Sequence, residues 1–321
     1  MFVGCANAGG TPDTPGPTEA TGGQGGGGSS GAGGSAGGAG NAGAGGGVVL
    51  PDAGVEPTSC GDVGKVIFVV SSENVLLSFD PAKQTFSTIG TLNCPAGFGD
   101  SPFSMAVDRS GNAYVLYQSG NIYKASTKDA SCAPSGYQPN QLGWARFGMG
   151  YVSDAAGSDS ETLYVIDGTG LGSGGSNKGL GKISQSGQLA AVGQFDKGLG
   201  GRTAEVTGLG DGRLFAFFVD SGKNAYSVAE VEKSSGKILS DEPQPLPEVS
   251  AWAFAHWGGS FYLFNSGTAG SSRVHKYTPG KGTQQVVASA GYRIVGAGVS
   301  TCAPTTEIIN LPGRPVASRL G

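Results

Sequence analysis

Three acidic residues stand beside short runs of small and apolar residues in three successive segments of the sequence: Asp108, Asp154 and Glu205. Two carboxyl groups roughly 5–10 Å apart can cleave a glycosidic bond, one as the acid and the other as the nucleophile or base. Asp108, however, begins the sequence Asp-Arg-Ser-Gly, and Asp154 lies in a polar stretch. Both patterns are typical of turns. The residue types therefore favour turn formation, and glycoside hydrolysis is the alternative.

One histidine and the three tryptophans are further candidates for contact with a ligand. Trp144, Trp252 and Trp257 lie before or within apolar runs, and His256 stands between Ala255 and Trp257. An exposed indole ring can stack on a sugar, whereas a buried ring packs in a hydrophobic core. Core packing is the commoner role of such aromatic residues. For His256 the sequence favours a hydrogen-bonded position in the core or in a channel.

No metal site and no cofactor site is predicted. His256 and His275 are the only histidines, and the sequence contains neither an HExxH motif nor a pair of CxxC motifs. Those spacings are what a protein zinc site needs. A Ser-His-Asp arrangement has no motif around either histidine.

The elements that must position these residues come from an internal repeat. A short aromatic strand recurs at intervals of 47, 50, 51 and 47 residues, starting at Gly64, Gly111, Glu161, Gly212 and Gly259. A strand of small and apolar residues precedes the last four copies, and a third and a fourth strand follow. Four short antiparallel strands in a unit of about 48 residues indicate a β-propeller blade.

The two ends of the domain are expected to share one blade. The first copy begins directly at Lys65–Val70 without an inner strand, and the last copy, Ile294–Ser300, has only that inner strand. Pairing the two completes a fifth blade and removes the free sheet edges of an open array. Residues 60–302 therefore predict an all-β, five-bladed β-propeller.

Four cysteines fit this closure as two disulfides. Cys60 comes just before the second strand of the shared blade and Cys302 just after its first, and in an antiparallel pair those ends face each other. Cys94 and Cys132 would then join the outer strands of adjacent blades. Four cysteines allow three pairings, so the assignment depends on the topology, and free buried thiols are the alternative. Disulfides indicate an oxidising, extracytoplasmic compartment.

The amino terminus resembles the lipobox of bacterial lipoproteins, in which a cysteine is acylated. Residues 1–5 read Met-Phe-Val-Gly-Cys, with Phe where that family usually has Leu. The charged and apolar regions of a signal peptide are missing, so we expect the signal to begin upstream. Residues 6–59, rich in Gly, Ala, Ser and Pro, predict a disordered tether whose r.m.s. reach is roughly 35–40 Å. Residues 303–321 are expected to form a flexible tail.

The distribution of charge excludes several classes of partner. Residues 1–60 contain four acidic residues and no Lys or Arg, which leaves 20 acidic and 20 basic residues in 61–321. A neutral domain without a basic run has no electrostatic footprint for nucleic acid. No apolar stretch approaches the roughly 20 residues of a membrane span. We expect a monomer that binds no nucleic acid and has no membrane helix.

A lipidated cysteine, a long polar tether and a compact domain together resemble the plan of bacterial surface lipoproteins with Gly/Ser-rich tethers. The resemblance implies an extracytoplasmic location at the outer membrane or cell surface, with a lipid anchor at Cys5. The propeller would then be a binding or scaffold module for a protein or glycan. The alternative is a carbohydrate-active hydrolase, since five-bladed propellers include glycosidases that arrange three acidic residues at the mouth of the channel.

Overall fold

The computed structural model describes residues 61–168, 178–220 and 222–307. The expected lipobox, the tether, Cys60 and residues 308–321 of the expected tail lie outside the described residues. The chain from 303 onwards continues to make contacts as far as it is described. The backbone N–H of Gly258 donates to the carbonyl of Pro304 at 2.8 Å, and Lys281 Nζ lies 2.9 Å from Glu307 Oε2.

In the described part of the chain, twenty strands form five sheets of four antiparallel strands, which confirms the predicted five-bladed propeller. Blade 1 contains β20 (Ile294–Gly298), β1 (Ile67–Ser71), β2 (Val75–Asp80) and β3 (Thr85–Thr91). Blade 2 contains β4 (Pro102–Val107), β5 (Asn112–Tyr117), β6 (Ile122–Ser126) and β7 (Cys132–Pro134). Blade 3 contains β8 (Phe147–Ser153), β9 (Glu161–Asp167), β10 (Leu180–Ile183) and β11 (Leu189–Gly193).

Blade 4 contains β12 (Thr203–Gly208), β13 (Leu214–Asp220), β14 (Ala225–Val231) and β15 (Ile238–Pro243). Blade 5 contains β16 (Ala251–Trp257), β17 (Ser260–Ser266), β18 (Arg273–Thr278) and β19 (Gly282–Val287). The helical elements of the described residues are two short 3₁₀ turns, Gly61–Lys65 and Gln141–Gly143. In the same part of the chain no helix is long and apolar enough to cross a membrane.

The shared blade closes the ring as expected. Strand β20 pairs antiparallel with β1, with Ala297 opposite Val69 and Gly298 opposite Phe68. The last strand of the domain is thereby the innermost strand of the first blade. Because this pairing satisfies the backbone of both ends, neither the first nor the last copy is left with an open edge.

The innermost strands of the five blades are β4, β8, β12, β16 and β20. They run parallel to one another around the axis and lie very close together. A Cβ atom on Gly148 would come within 2.4 Å of the carbonyl oxygen of Ala204, and one on Gly296 within 2.8 Å of the backbone nitrogen of Met105. Only glycine permits this approach, which explains the small residues of the inner strands. We call the end at which these strands begin the front face and the other end the back face.

Five hydrophobic clusters fill the five seams between neighbouring blades. The seam between blades 5 and 1, for example, contains Phe79 edge-on to Phe264, with ring centroids 5.6 Å apart and both side chains fully buried. Fully burying a Phe side chain contributes about 1.5–3 kcal/mol. Aromatic residues of the repeat therefore contribute to the packing between blades, in addition to contacts within a blade such as Phe261 with Tyr277.

One predicted disulfide is confirmed and the other stays a prediction. Cys94, after β3, is bonded to Cys132 in β7, with a Cα–Cα distance of 4.8 Å, and joins the outer parts of blades 1 and 2. Cys302 is also disulfide-bonded. Cys60, its predicted partner, lies outside the described residues. Gly64, four residues after Cys60 in the sequence, is close to Cys302, because a Cβ on Gly64 would lie 2.7 Å from the carbonyl oxygen of Cys302.

Candidate functional site

The three carboxyl groups considered for hydrolysis lie at different ends of the channel. Asp108 and Asp154 follow the ends of β4 and β8, at the back face, whereas Glu205 lies near the beginning of β12, at the front. Along the channel axis, Glu205 lies at the same height as Ser104 and Met149. Ser104 is four residues before Asp108, and Met149 is five residues before Asp154. At about 3.3 Å per residue, those offsets correspond to roughly 13–17 Å along the axis. The structure does not bring the three together.

The carboxylates of Asp108 and Asp154 stabilise turns, which is the role that their sequence context favours. The carboxylate of Asp108 accepts 2.8 Å hydrogen bonds from the backbone and side-chain nitrogens of Asn112. That of Asp154 accepts from the hydroxyls of Ser160 and Thr162, both at 2.7 Å, and these two bonds hold the pKa of Asp154 below its ordinary value. Both carboxylates are therefore occupied by local hydrogen bonds of the β4–β5 and β8–β9 turns.

Glu205 is a buried carboxyl group inside the channel. It is 3% exposed, and its Oε2 accepts a 2.8 Å hydrogen bond from the hydroxyl of Ser104 on blade 2. The same hydroxyl accepts the backbone N–H of Met149 at 3.2 Å, so one cluster joins the inner strands of blades 2, 3 and 4. Burial raises the pKa of Glu205 well above its ordinary value of 4.5, and the bond from Ser104 only partly opposes this effect. A raised pKa favours the neutral acid.

All five blades contribute to a cavity at the front mouth of the channel. We call this cavity the front pocket; its volume is about 250 Å³. Glu205 and Ala204 lie at its base. Its walls are formed by residues at the starts of the inner strands and in nearby turns: Ser72, Ser101, Pro102, Phe103, Gln118, Gly168, Ser250, Ala251, Trp252, Arg293 and Val295.

Two arginines hold positive charge at this mouth. Arg293 donates to the carbonyl of Gly267 at 2.9 Å and to the hydroxyl of Ser250 at 3.1 Å. Arg146 lies over the ring of Phe103, 5.5 Å from its centroid, and donates to the side-chain oxygen of Gln118 at 2.8 Å. Within the described ranges neither guanidinium is paired with a carboxylate. The rim therefore carries two arginines and aromatic rings above a buried acid.

Of the three tryptophans, Trp252 alone lines the front pocket. Trp144 is 1% exposed and packs against Phe147 in the seam between blades 2 and 3. Trp257 is partly buried, and its indole N–H donates to the carbonyl of Gly64 at 2.9 Å, across the seam between blades 5 and 1. Trp144 and Trp257 thus hold neighbouring blades together, which is the core role that the sequence also allowed.

His256 lies away from the front pocket. It is 4% exposed, packs edge-on against Phe261 at 5.0 Å, and faces a separate cavity between blades 4 and 5 near the back face. Burial lowers its pKa to about 4, so the ring is neutral near pH 7. His275 is bonded through Nδ1 to the side-chain oxygen of Asn265 at 2.7 Å. In the described ranges no group of His, Cys, Asp or Glu could hold a metal ion.

The sequence patterns did not single out Arg146 and Arg293 as site residues, although the repeat contains a signal for them. An arginine stands immediately before the innermost strand in three blades: Arg146 before β8, Arg202 before β12 and Arg293 before β20. The innermost strands all start at one face, so a residue at that repeat position must lie at the same mouth. The recurrence becomes visible only when the copies are aligned on the inner strand and not on the aromatic strand.

No protein-family model matches the chain, and no curated protein matches it. Among solved structures it is similar to a protein of unknown function from Bacteroides caccae, with a TM-score of 0.38 and 12% identity over 73% of this chain and 97% of that one. It is also similar to Kuenenia stuttgartiensis hydrazine synthase, with a TM-score of 0.41 and 13% identity over 76% of this chain and 71% of that one. A third structure is TolB from Acinetobacter baumannii, with a TM-score of 0.40 and 11% identity over 71% of this chain and 54% of that one. Similarity at this level carries no argument about function.

Proposed function

We propose that this propeller is an extracytoplasmic binding module whose front pocket holds the end of an acidic glycan. The observation that carries the proposal is the convergence, from separate blades, of Arg293, Trp252 and Phe103 on one pocket. A guanidinium pairs well with a sugar carboxylate, an aromatic ring packs against the apolar face of a pyranose, and Gln118 can bond hydroxyl groups.

The size of the pocket favours a terminal sugar over an internal segment. Its volume of about 250 Å³ is below the ~300–1,000 Å³ of sites that enclose drug-sized ligands. Two large apolar side chains, Phe98 and Leu142, are also exposed on the loops that lead into inner strands. These two side chains lie outside the pocket lining, on the chain segments that enter blades 2 and 3.

Binding is favoured over hydrolysis because the front pocket supplies one carboxyl group. Glycosidases of both stereochemical classes use two, about 5–10 Å apart. Among the described residues that line the pocket, Glu205 is the sole acid, and its hydrogen bond to Ser104 gives it a role in joining the blades. The release of reducing sugar from a bound glycan would favour the hydrolase alternative instead.

The extracytoplasmic part of the proposal is supported by the cysteines. The Cys94–Cys132 disulfide, together with the disulfide at Cys302, fits an oxidising compartment. Lipid attachment at Cys5, followed by the polar tether, would hold the propeller at a bacterial outer membrane or cell surface while allowing it to reach ligands roughly 35–40 Å away.

Calorimetric titration with tri-galacturonate tests the binding function, and its methyl ester provides the uncharged control. We expect saturable binding of the acid and at least tenfold weaker binding of the ester. Trp252→Ala and Arg146→Ala should each weaken binding, whereas Leu239→Ala, which removes an exposed side chain on blade 4, should not. Equal binding of the acid and the ester, or equal binding by Trp252→Ala and the unaltered protein, would refute the assignment.

A further inference from the structure

A second, larger cavity lies between blades 4 and 5 near the back face, apart from the front pocket. Its volume is about 430 Å³, and we call it the seam cavity. Blade 4 contributes Arg213, Phe215, Val228, Glu230, Ser240 and Glu242, and blade 5 contributes His256, Phe261 and Tyr277. The cavity continues the hydrophobic core of this seam, at the point where polar side chains replace apolar ones.

The strand register places two carboxyl groups side by side on one wall. Glu230 of β14 pairs with Ser240 of β15, and Val228 pairs with Glu242. All four side chains therefore point to the same face of blade 4, and the two glutamates are diagonal neighbours, with Cα atoms about 7–8 Å apart. On the same wall, Phe215 is opposite Glu230 in β13.

The charge of these glutamates is only partly offset within the cavity, because Arg213 attracts Glu230 without forming an ion pair with it. Arg213 lies beside them, but its Nε and Nη2 donate to Oδ2 of Asp211 at 2.9 and 2.8 Å. Neither Glu230 nor Glu242 has a side-chain hydrogen bond or ion pair within residues 61–168, 178–220 and 222–307. Since the Arg213 charge is paired with Asp211, the wall presents a net negative charge to the cavity.

His256 supplies an independent polar group at the inner end of the same cavity. It is 4% exposed, and its ring lines the cavity without a side-chain hydrogen bond in the described ranges. The ring nitrogens are therefore open to a ligand or to water in the cavity. The ring is neutral near pH 7, because burial lowers its pKa to about 4, and can therefore accept a hydrogen bond as well as donate one.

Aromatic rings complete the walls. Phe215 and Phe261 lie 4.8 Å apart across the seam, and Phe261 is stacked with Tyr277 at 6.0 Å. Aromatic faces attract cations through the ring quadrupole, by about 0.5–2 kcal/mol, and the guanidinium of Arg213 already lies over the ring of Phe215, 5.4 Å from its centroid. Aromatic rings, two carboxylates that form no ion pair among the described residues and one hydrogen-bond acceptor are together the chemistry that recognises an ammonium ion carried on a short carbon chain.

Neighbouring seams are closed at corresponding positions by hydrogen bonds between blades. Lys233 of blade 4 donates to the carbonyls of Ser153 and Asp154, at 3.0 and 2.7 Å, across the seam with blade 3. Trp257 closes the seam with blade 1 through Gly64. The two seams on either side of blades 4 and 5 are thus bridged, whereas the seam between these blades holds the cavity.

We propose that the seam cavity is a binding site for a small organic ammonium ion, with Glu230 and Glu242 facing the charge and Phe215, Phe261 and Tyr277 enclosing its carbon chain. His256 accepts a hydrogen bond from an N–H group of a primary amine. The site is separate from the front pocket and does not depend on the function proposed for it.

Calorimetric titration of the full chain with n-butylammonium chloride tests this proposal, with n-butanol as the uncharged analogue of equal length. The cation should bind saturably, at least tenfold more tightly than the alcohol, and more weakly as NaCl is raised from 50 to 500 mM. Glu242→Gln should lower the affinity about fivefold, and Glu230→Gln by a similar factor, since partly exposed ion pairs are worth up to about that much.

Asp241→Asn is the matched control, because Asp241 lies on the same strand as Glu242 but points to the opposite face of the blade. This variant and Trp252→Ala should bind butylammonium as the unaltered protein does. Glu242 is exposed, so its replacement leaves the folded core intact, and an unchanged thermal midpoint confirms this. Equal affinity for butylammonium and butanol overturns the proposal. So does a Glu230→Gln/Glu242→Gln double variant that binds as tightly as the unaltered chain.

Discussion

Replacing Glu205 by Gln should stabilise the propeller at neutral pH. The substitution keeps an oxygen that accepts the hydrogen bond from Ser104, and it removes a carboxyl group whose ionised form is disfavoured inside the channel. Burial raises the pKa of Glu205 well above 4.5 in the folded protein, whereas the unfolded chain titrates near that ordinary value. Between the two pKa values the folded state retains a proton that the unfolded state has released.

The sign and slope of the effect follow from this difference in bound protons. Since the folded state binds one more proton, the free energy of unfolding falls as the pH rises, by about 1.4 kcal/mol per pH unit. This loss begins at the unfolded pKa and ends at the folded one. A neutral Gln shows no such slope. The stability advantage of Glu205→Gln should therefore be small near pH 4.5 and widen by about 1.4 kcal/mol per unit above it.

Urea unfolding at half-unit intervals from pH 4.5 to 8.5 measures this difference. Subtracting the two curves removes the contribution of every other titrating group. Glu248→Gln, which replaces an exposed carboxylate, is the control and should run parallel to the unaltered protein. If the Glu205→Gln curve also runs parallel to the unaltered protein over the whole range, then burial does not raise the pKa of Glu205.

Three other predictions concern the ring, the disulfides and the anchor. Gly148→Ala should lower the free energy of unfolding by about 1–3 kcal/mol, because its Cβ would press on the backbone of β12, whereas Gly97→Ala, with open space around it, should be nearly neutral in urea unfolding. Cys302→Ser should lower the thermal midpoint more than Cys132→Ser. The predicted Cys60–Cys302 disulfide closes a longer loop than the Cys94–Cys132 disulfide, whose cysteines are 38 residues apart. For the shorter loop the chain-entropy model gives about 4 kcal/mol of stabilisation. A larger loss of thermal midpoint for Cys132→Ser would contradict the Cys60–Cys302 pairing. With the native upstream sequence, Cys5→Ala should release the protein from membranes in cell fractionation, and mass spectrometry showing an unmodified Cys5 would count against lipidation.

The local sequence was sufficient to predict the repeat, because the strands of blades 2 to 5 follow one another in the chain. Each copy carries its own alternation of apolar residues and its own turn residues, so strand number and order can be counted along the sequence. The missing inner strand before Lys65–Val70 and the surplus strand Ile294–Ser300 indicated the closure, which the pairing of β20 with β1 confirms. The Cys94–Cys132 bridge followed from the same topology.

The positions of side chains relative to the channel depended on the assembled ring. Asp108, Asp154 and Glu205 look equivalent along the sequence, since each is on or just after an inner strand. A few residues along a parallel strand nevertheless separate the front face from the back face, at about 3.3 Å per residue. The residues that meet at the front pocket, such as Trp252 and Arg293, belong to different blades and are brought together only by the closed ring.

At the seam cavity, too, the local sequence predicts the strands, whereas the packing of two blades decides what their side chains face. The sequence by itself predicted four antiparallel strands per blade, so that the third and fourth strands pair and their side chains alternate between two faces. Whether the face with Glu230 and Glu242 would be covered, bridged or left open depended on the facing side of blade 5, which comes from strands with no local pairing to it. Contacts within a blade are local in sequence and set by period and turns, whereas contacts between blades are set by the angle and distance at which five sheets pack around one axis.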